Sequence, residues 1–229
     1  GTQVLGMQDV TAQHSKDGNS LLLKMDERPF RMLIEKSDVD GFDFCGWEAT
    51  SQKNMAGTVA SLNAAGVNVT SASPELTQQR CVTELVRFSD PAGNQHELYW
   101  GPVSNSKRMV SPVGVSGFVT GEMGLGHVVL PAPNFDETSA FFTNVLGFGL
   151  SDLMNIKFSD DPAEQTSGTD GVVVTRDHVG DDVGIAIGVN HSDDRETELV
   201  CFGYSNVLFQ GVEHEDSVGT TCHFADTRQ

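Results

Sequence analysis

Apolar residues come in short runs broken by polar turns, with one helical stripe in each half of the chain. Residues 20–25 (SLLLKM) and 30–34 (FRMLI) read as two strands. Asp26-Glu27-Arg28-Pro29 between them has the composition of a turn. Residues 43–49 predict a further strand. Ser51 then stands as the N-cap of a helix whose apolar Met55, Val59 and Leu62 fall at i, i+4 and i+7. Gly66 is placed to end that helix, and Val67-Asn68-Val69 begins the next extended piece. Residues 82–88 and 95–100 flank Ser89-Asp90-Pro91-Ala92-Gly93-Asn94, which predicts a hairpin.

Residues 102–113, PVSNSKRMVSPV, carry two prolines and no periodic pattern, and are read as a linker. A second module is expected from Gly114. Its first strand holds Val128-Val129-Leu130, preceded by His127. An imidazole on such a strand either finds a hydrogen-bond partner or binds a metal. Asn134 with Glu137 three residues on has the spacing of a capping box. Phe141, Phe142, Val145 and Leu146 supply the buried stripe, and Gly147 is placed to end the helix. Residues 172–174 and 183–187 have strand composition. Phe44 and Trp47 read as core, and His14, His96 and His223 as solvated.

The two halves repeat one another. Val4-Leu5-Gly6-Met7 returns as Val145-Leu146-Gly147-Phe148, and Thr83-Glu84-Leu85-Val86-Arg87-Phe88 as Thr197-Glu198-Leu199-Val200-Cys201-Phe202. Glu97 has its counterpart in Glu213 or Glu215. Matches in the same order predict duplicated modules of strands and helices. The spacing between the paired segments is 27 residues shorter in the second copy. His127 lies 18 residues before Val145, whereas three residues precede Val4, so the chain is expected to start inside its first module.

Composition narrows the function classes. Net charge is -18, from 14 basic and 32 acidic side chains, which argues against nucleic acid and anionic membranes. No run approaches the roughly 18 apolar residues of a membrane span. Cys45, Cys81, Cys201 and Cys222 form no CxxC pair, so zinc-finger spacing is absent, and reduced thiols in a cytoplasmic protein are expected. The charge is concentrated late. Residues 158–229 hold fifteen acidic and three basic side chains, two leucines and no lysine. Such a shift marks a divergent module or a sequence altered in reading frame.

The segment GFVTGEMGLGHVVLPAPNFDETSAFFTNVLGFGLSDL, with MDERPF (25–30) and FSDPAGNQHELYWG (88–101), resembles the type I extradiol ring-cleavage dioxygenases of the vicinal oxygen chelate superfamily. The resemblance runs from Gly1 to about residue 161. It implies an α+β fold of two tandem modules built of βαβββ units. The first (1–101) would be truncated at its start, and 102–113 would be the linker. The second (114–229) would be shortened or divergent after about 161. It also implies Fe(II) held by two histidines and a glutamate, a facial set that leaves positions open for substrate and oxygen. On that pattern His127 is the first ligand. His191, 64 residues on, is the candidate second. Glu215 is the candidate third, with Glu213 behind it, and His178 is a candidate acid-base group. Glu97 fits the last-strand glutamate of the first module. Phe44 falls where that module's second histidine would be expected, so the first module is expected to be structural and metal-free.

The implied activity is ring cleavage of a catechol-type substrate such as 2,3-dihydroxybiphenyl by O2, in aromatic-compound catabolism, by a homo-oligomer. Two other readings stay open. One is a non-catalytic protein of the same fold, suggested by the altered second-ligand region. The other is a different metalloenzyme of the superfamily, such as a lyase or glutathione transferase, against which the two-module length and the GLGH and ELYWG contexts argue.

Overall fold

The computed structural model describes residues 1–16, 18–38, 41–120, 125, 128–148, 150–156, 169–175, 184–188 and 203–206. Its twelve described strands lie in three sheets. The first is a meander of β1 (Gln8–Asp9), β2 (Ser20–Lys24) and β3 (Met32–Glu35), with the short helix α1 (Thr11–His14) after β1. The β2–β3 pair is the expected hairpin, with Leu23 opposite Met32 across the turn.

The second sheet follows from a parallel pairing. Strand β4 (Cys45–Ala49) lies parallel to β7 (Gln95–Trp100). A parallel pair cannot close through a tight turn and needs a crossover. Here the crossover includes helix α2 (Gln52–Ala64), strand β5 (Thr70–Ser71), helix α3 (Pro74–Arg80) and strand β6 (Glu84–Ser89), giving the order β4-β7-β6-β5. Strand β12 (Gly203–Asn206) adds to the free edge of β4, also parallel.

Local chemistry sets the helix ends. Ser51 accepts a hydrogen bond from the Asn54 amide at 3.1 Å, the cap its position predicts. At the other end Gly66 takes φ +78°, and the Gly66 and Val67 amides return to the carbonyls of Asn63 and Leu62. This closure uses Val67, which is why the next strand begins at Thr70 and not at the expected 67–69.

The third sheet repeats the second. Its strands β8 (Val128–Pro131), β9 (Leu150–Ile156), β10 (Thr169–Thr175) and β11 (Gly184–Gly188) run β8-β11-β10-β9, with β8 parallel to β11. Between β8 and β9 stands helix α4 (Phe135–Ala140), which widens into a π-helical turn at Phe141–Val145. Asn134 does not form the expected capping box. Its side-chain amide donates to Glu137 Oε2 and to the Pro91 carbonyl, and its oxygen accepts from Thr138 Oγ1. The bond to Pro91 ties the helix start to the β6–β7 turn of the preceding sheet, a partner no local pattern contains. Gly147, at φ +76°, ends the turn as its position suggested.

The largest core joins these two sheets. Trp47, Met55, Leu62, Phe88 and Leu98 from the second sheet and α2 pack with Val128, Leu130, Phe141, Phe142 and Leu146 from the third unit. The π-helical turn places Phe141 and Phe142 edge to face, 5.6 Å apart, with Phe148 5.5 Å from Phe142. Residues 101–120 have no regular structure.

Truncating Phe142, which is fully buried, to alanine is expected to destabilise the protein by about 3–5 kcal/mol. Ser51→Ala should cost about 1 kcal/mol through loss of its cap. Urea titration of each variant checks both values and their order.

Candidate functional site

Strand alternation gives the β4–β7 ladder two unlike faces. Cys45, Trp47, Ala49, His96 and Leu98 turn toward α2 and the shared core. Phe44, Glu48, Glu97 and Tyr99 turn to the other side, toward the β1–β3 sheet and α3. Both faces are buried, so every polar group on them needs a partner.

On the second face the partners are cations. Glu97, with no exposed side-chain surface, accepts from Arg80 Nε at 3.0 Å and Arg80 Nη2 at 3.3 Å, and Arg87 Nε lies 3.9 Å away. Arg80 comes from the last position of α3, which ends at Cys81 in the left-handed conformation (φ 57°). Its guanidinium stands 4.6 Å from the centre of the Phe44 ring. Burial raises the Glu97 carboxyl above its ordinary range, against the pull of Arg80 and Arg87.

Next along the face, Arg28 Nη2 donates to both oxygens of Glu48, at 2.8 and 2.9 Å. Arg31, fully buried, donates through Nε and Nη2 to Asp26 Oδ2 at 2.8 and 2.6 Å. Burial works against the charge on Asp26, but Arg31, the Arg28 amide and Thr120 outweigh it and hold the carboxyl below its ordinary range. Burial raises Glu48 and drives the Tyr99 hydroxyl far upward, so Tyr99 is a neutral phenol. Lys24 is buried as well, and its ammonium donates to the Arg28 carbonyl at 3.0 Å.

The first face holds the one histidine whose expected place is overturned. His96 is fully buried, where the sequence suggested a solvated side chain. It sits between the rings of Phe88 and Trp47, at 5.1 and 5.8 Å, with Phe142 edge-on at 5.7 Å. Trp47 Nε1 donates to its Nδ1 at 2.9 Å, and Asp90 Oδ2 lies 3.3 Å from its Nε2. Tertiary partners from β4 and the hairpin turn make burial possible, and neither is adjacent in sequence. Trp47 is core, as expected, and Phe44 is half-buried against the second cluster.

The candidate ligands His127, His191 and Glu215, with Glu213 and His178, all lie outside the described residues. Among the described residues no group of three or more His, Cys, Asp or Glu side chains is placed to hold a metal ion. Glu97 and Phe44 do not fit as iron ligands: Glu97 is engaged by two guanidinium groups, and Phe44 offers no donor atom. The strand orders of the second and third sheets nevertheless correspond. Cys45, Trp47 and Ala49 of β4 enter the shared core, as do Val128, Leu130 and Ala132 at β8.

A cavity of about 570 Å³ opens between the 25–27 turn and the segment 105–120. Asp26 and Thr120 line it and are already joined to each other. Among the described residues no helix is long and apolar enough to cross a membrane.

No protein-family model matches the chain. Individual relatives do. The chain is 37% identical over 161 residues to the biphenyl-2,3-diol 1,2-dioxygenase of Paraburkholderia xenovorans, covering 70% of this chain and 53% of the relative. It is 38% identical over 156 residues to an iron-dependent extradiol dioxygenase of Rhodococcus jostii, covering 68% and 51%. Among solved structures, a halotolerant catechol dioxygenase superposes with a TM-score of 0.70 at 30% identity, over 82% of this chain and 58% of that one. A catechol 2,3-dioxygenase gives 0.68 at 25% identity, over 85% and 65%. The chain thus spans about half the length of the curated relatives it matches. It belongs, by sequence and fold, with the extradiol dioxygenases of the vicinal oxygen chelate superfamily.

Arg80→Ala leaves Glu97 buried beside the more distant Arg87, and a loss of about 3–5 kcal/mol is expected. Adding Glu97→Gln should recover part of it, and a denaturant double-mutant cycle measures the coupling. Asp26 gives a pH test. Its folded carboxyl titrates below the unfolded value, so its stabilisation is complete above about pH 4 and is lost as pH falls through the folded value. Asp26→Asn should therefore flatten the acid limb of stability against pH while lowering stability at neutral pH.

Proposed function

We propose that the chain serves an iron(II)-dependent extradiol dioxygenase that opens a catechol-type ring, such as 2,3-dihydroxybiphenyl, with O2 in aromatic-compound catabolism. The observation that carries this is the sequence kinship to diol and extradiol dioxygenases at 37–38% identity. The repeated strand order supports it, because His127 immediately precedes β8, the first strand of the repeated order. The proposed division is 1–101 as a structural module, 102–113 as linker and 114–229 as the metal-binding module.

His127, His191 and Glu215 are the proposed ligands, and His178 the proposed acid-base group. Bound iron would supply a Lewis acid on which catechol and oxygen can meet. The described part contributes a rigid base. The first module neutralises its own buried carboxylates with arginines and packs Phe88, Trp47 and His96 against the unit that carries His127. A homo-oligomeric assembly and a cytoplasmic location go with this reading.

Anaerobic loading with ferrous iron, followed by 2,3-dihydroxybiphenyl and air, should yield a yellow ring-cleavage product. A colourless mixture at stoichiometric bound iron would instead mark a non-catalytic protein of this fold. In His127→Ala, iron retention measured after desalting should be lost while the circular dichroism spectrum stays nearly unchanged. Retained iron would place the first ligand elsewhere.

A further inference from the structure

Cys45, His96 and Asp90 stand in line inside the shared core. Cys45 Sγ lies 3.0 Å from His96 Nδ1, and His96 Nε2 lies 3.3 Å from Asp90 Oδ2. A thiol on one imidazole nitrogen with a carboxylate on the other is the arrangement by which a thiol passes its proton to an oriented histidine base. Asp90 is suited to that role. Burial resists its charge, but hydrogen bonds from His96 and Asn94 outweigh burial and hold the carboxyl below its ordinary range.

A fourth group decides what this array does. The indole N–H of Trp47 donates to the same Nδ1 at 2.9 Å. An indole nitrogen can only donate, so Nδ1 must present its lone pair and the ring proton must sit on Nε2, toward Asp90. Nδ1 has a single lone pair and two donors compete for it. A proton moved from Cys45 onto Nδ1 would meet the indole N–H head-on and leave it buried without an acceptor. Cys45 from β4 and Asp90 from the hairpin turn are the titratable groups bonded to the imidazole. The rings of Phe88 from β6 and Phe142 from the π-helical turn close its other sides without charge.

We propose that Cys45, His96 and Asp90 form a latent thiol–imidazole–carboxylate relay, and that the Trp47 indole keeps it from generating a thiolate. The relay is sealed as well as blocked, since Cys45 is buried in the core that joins the two units. Releasing the block would let Cys45 pass its proton to His96 Nδ1 and leave a thiolate inside the core.

The test uses the full chain with Cys81, Cys201 and Cys222 replaced by serine. Trp47→Phe keeps a ring in place but removes the N–H. The thiolate absorption band of the folded protein at neutral pH should then grow by roughly tenfold, the equivalent of about one unit in the thiol titration. Adding His96→Asn should abolish the gain. An unchanged band in folded Trp47→Phe, or a gain that survives His96→Asn, would overturn the proposal. Should Trp47→Phe fail to fold, the nitrogen resonances of His96 in the unsubstituted protein decide it. A bare Nδ1 and a protonated Nε2 are expected. A protonated Nδ1 refutes the indole block.

Discussion

A strand pair buried on both faces must satisfy two incompatible demands at once, and the β4–β7 ladder is where this protein does so. Alternation sends Cys45, Trp47, Ala49, His96 and Leu98 to one side and Phe44, Glu48, Glu97 and Tyr99 to the other. The first side is a largely apolar core shared with the next unit. The second is a set of carboxylates and a phenol that must be neutralised or kept protonated. Register makes the two demands inseparable, because a slip of one residue would exchange the faces and put Glu97 among the rings of Phe88 and Phe142.

The charged face shows how the β4–β7 ladder holds its buried carboxylates. Buried carboxylates draw a cation, and here the chain supplies its own: Arg80 and Arg87 at Glu97, Arg28 at Glu48, Arg31 at Asp26. A guanidinium suits this work because it stays charged, donates along two directions and lies flat against a ring such as Phe44. Such pairs specify the arrangement more than they stabilise it, since desolvation offsets much of their attraction. The same logic bears on the linking segment, whose Thr120 joins the Asp26–Arg31 pair and so fastens residues 101–120 to the first sheet.

Much of the scaffold was legible because its signals are local. The 20–35 hairpin, the Ser51 cap, the Gly66 and Gly147 stops and strands β6 and β7 depend on side chains within a few residues of each other. The short elements α1 and α3 escaped notice, having too few turns to show a periodic stripe. The Asn134 cap failed for a complementary reason. Its amide donates to Pro91, 43 residues earlier in the chain, and its oxygen accepts from Thr138 Oγ1 instead of a backbone amide. His96 looked solvated because its polar neighbours in sequence say nothing of Trp47, Phe88 and Phe142 in space. The candidate ligands came from resemblance alone, and lie outside the described residues.

By itself, then, the sequence determined the family and the strand and turn periods. These rest on short-range patterns and on matches that survive duplication. Only the tertiary structure decided which polar residues are buried and what answers each one: Arg80 for Glu97, Arg31 for Asp26, Trp47 and Asp90 for His96. The reason is physical. The cost of burying a charge or an imidazole is set by what surrounds it, and those surroundings are assembled from strands and helices far apart along the chain.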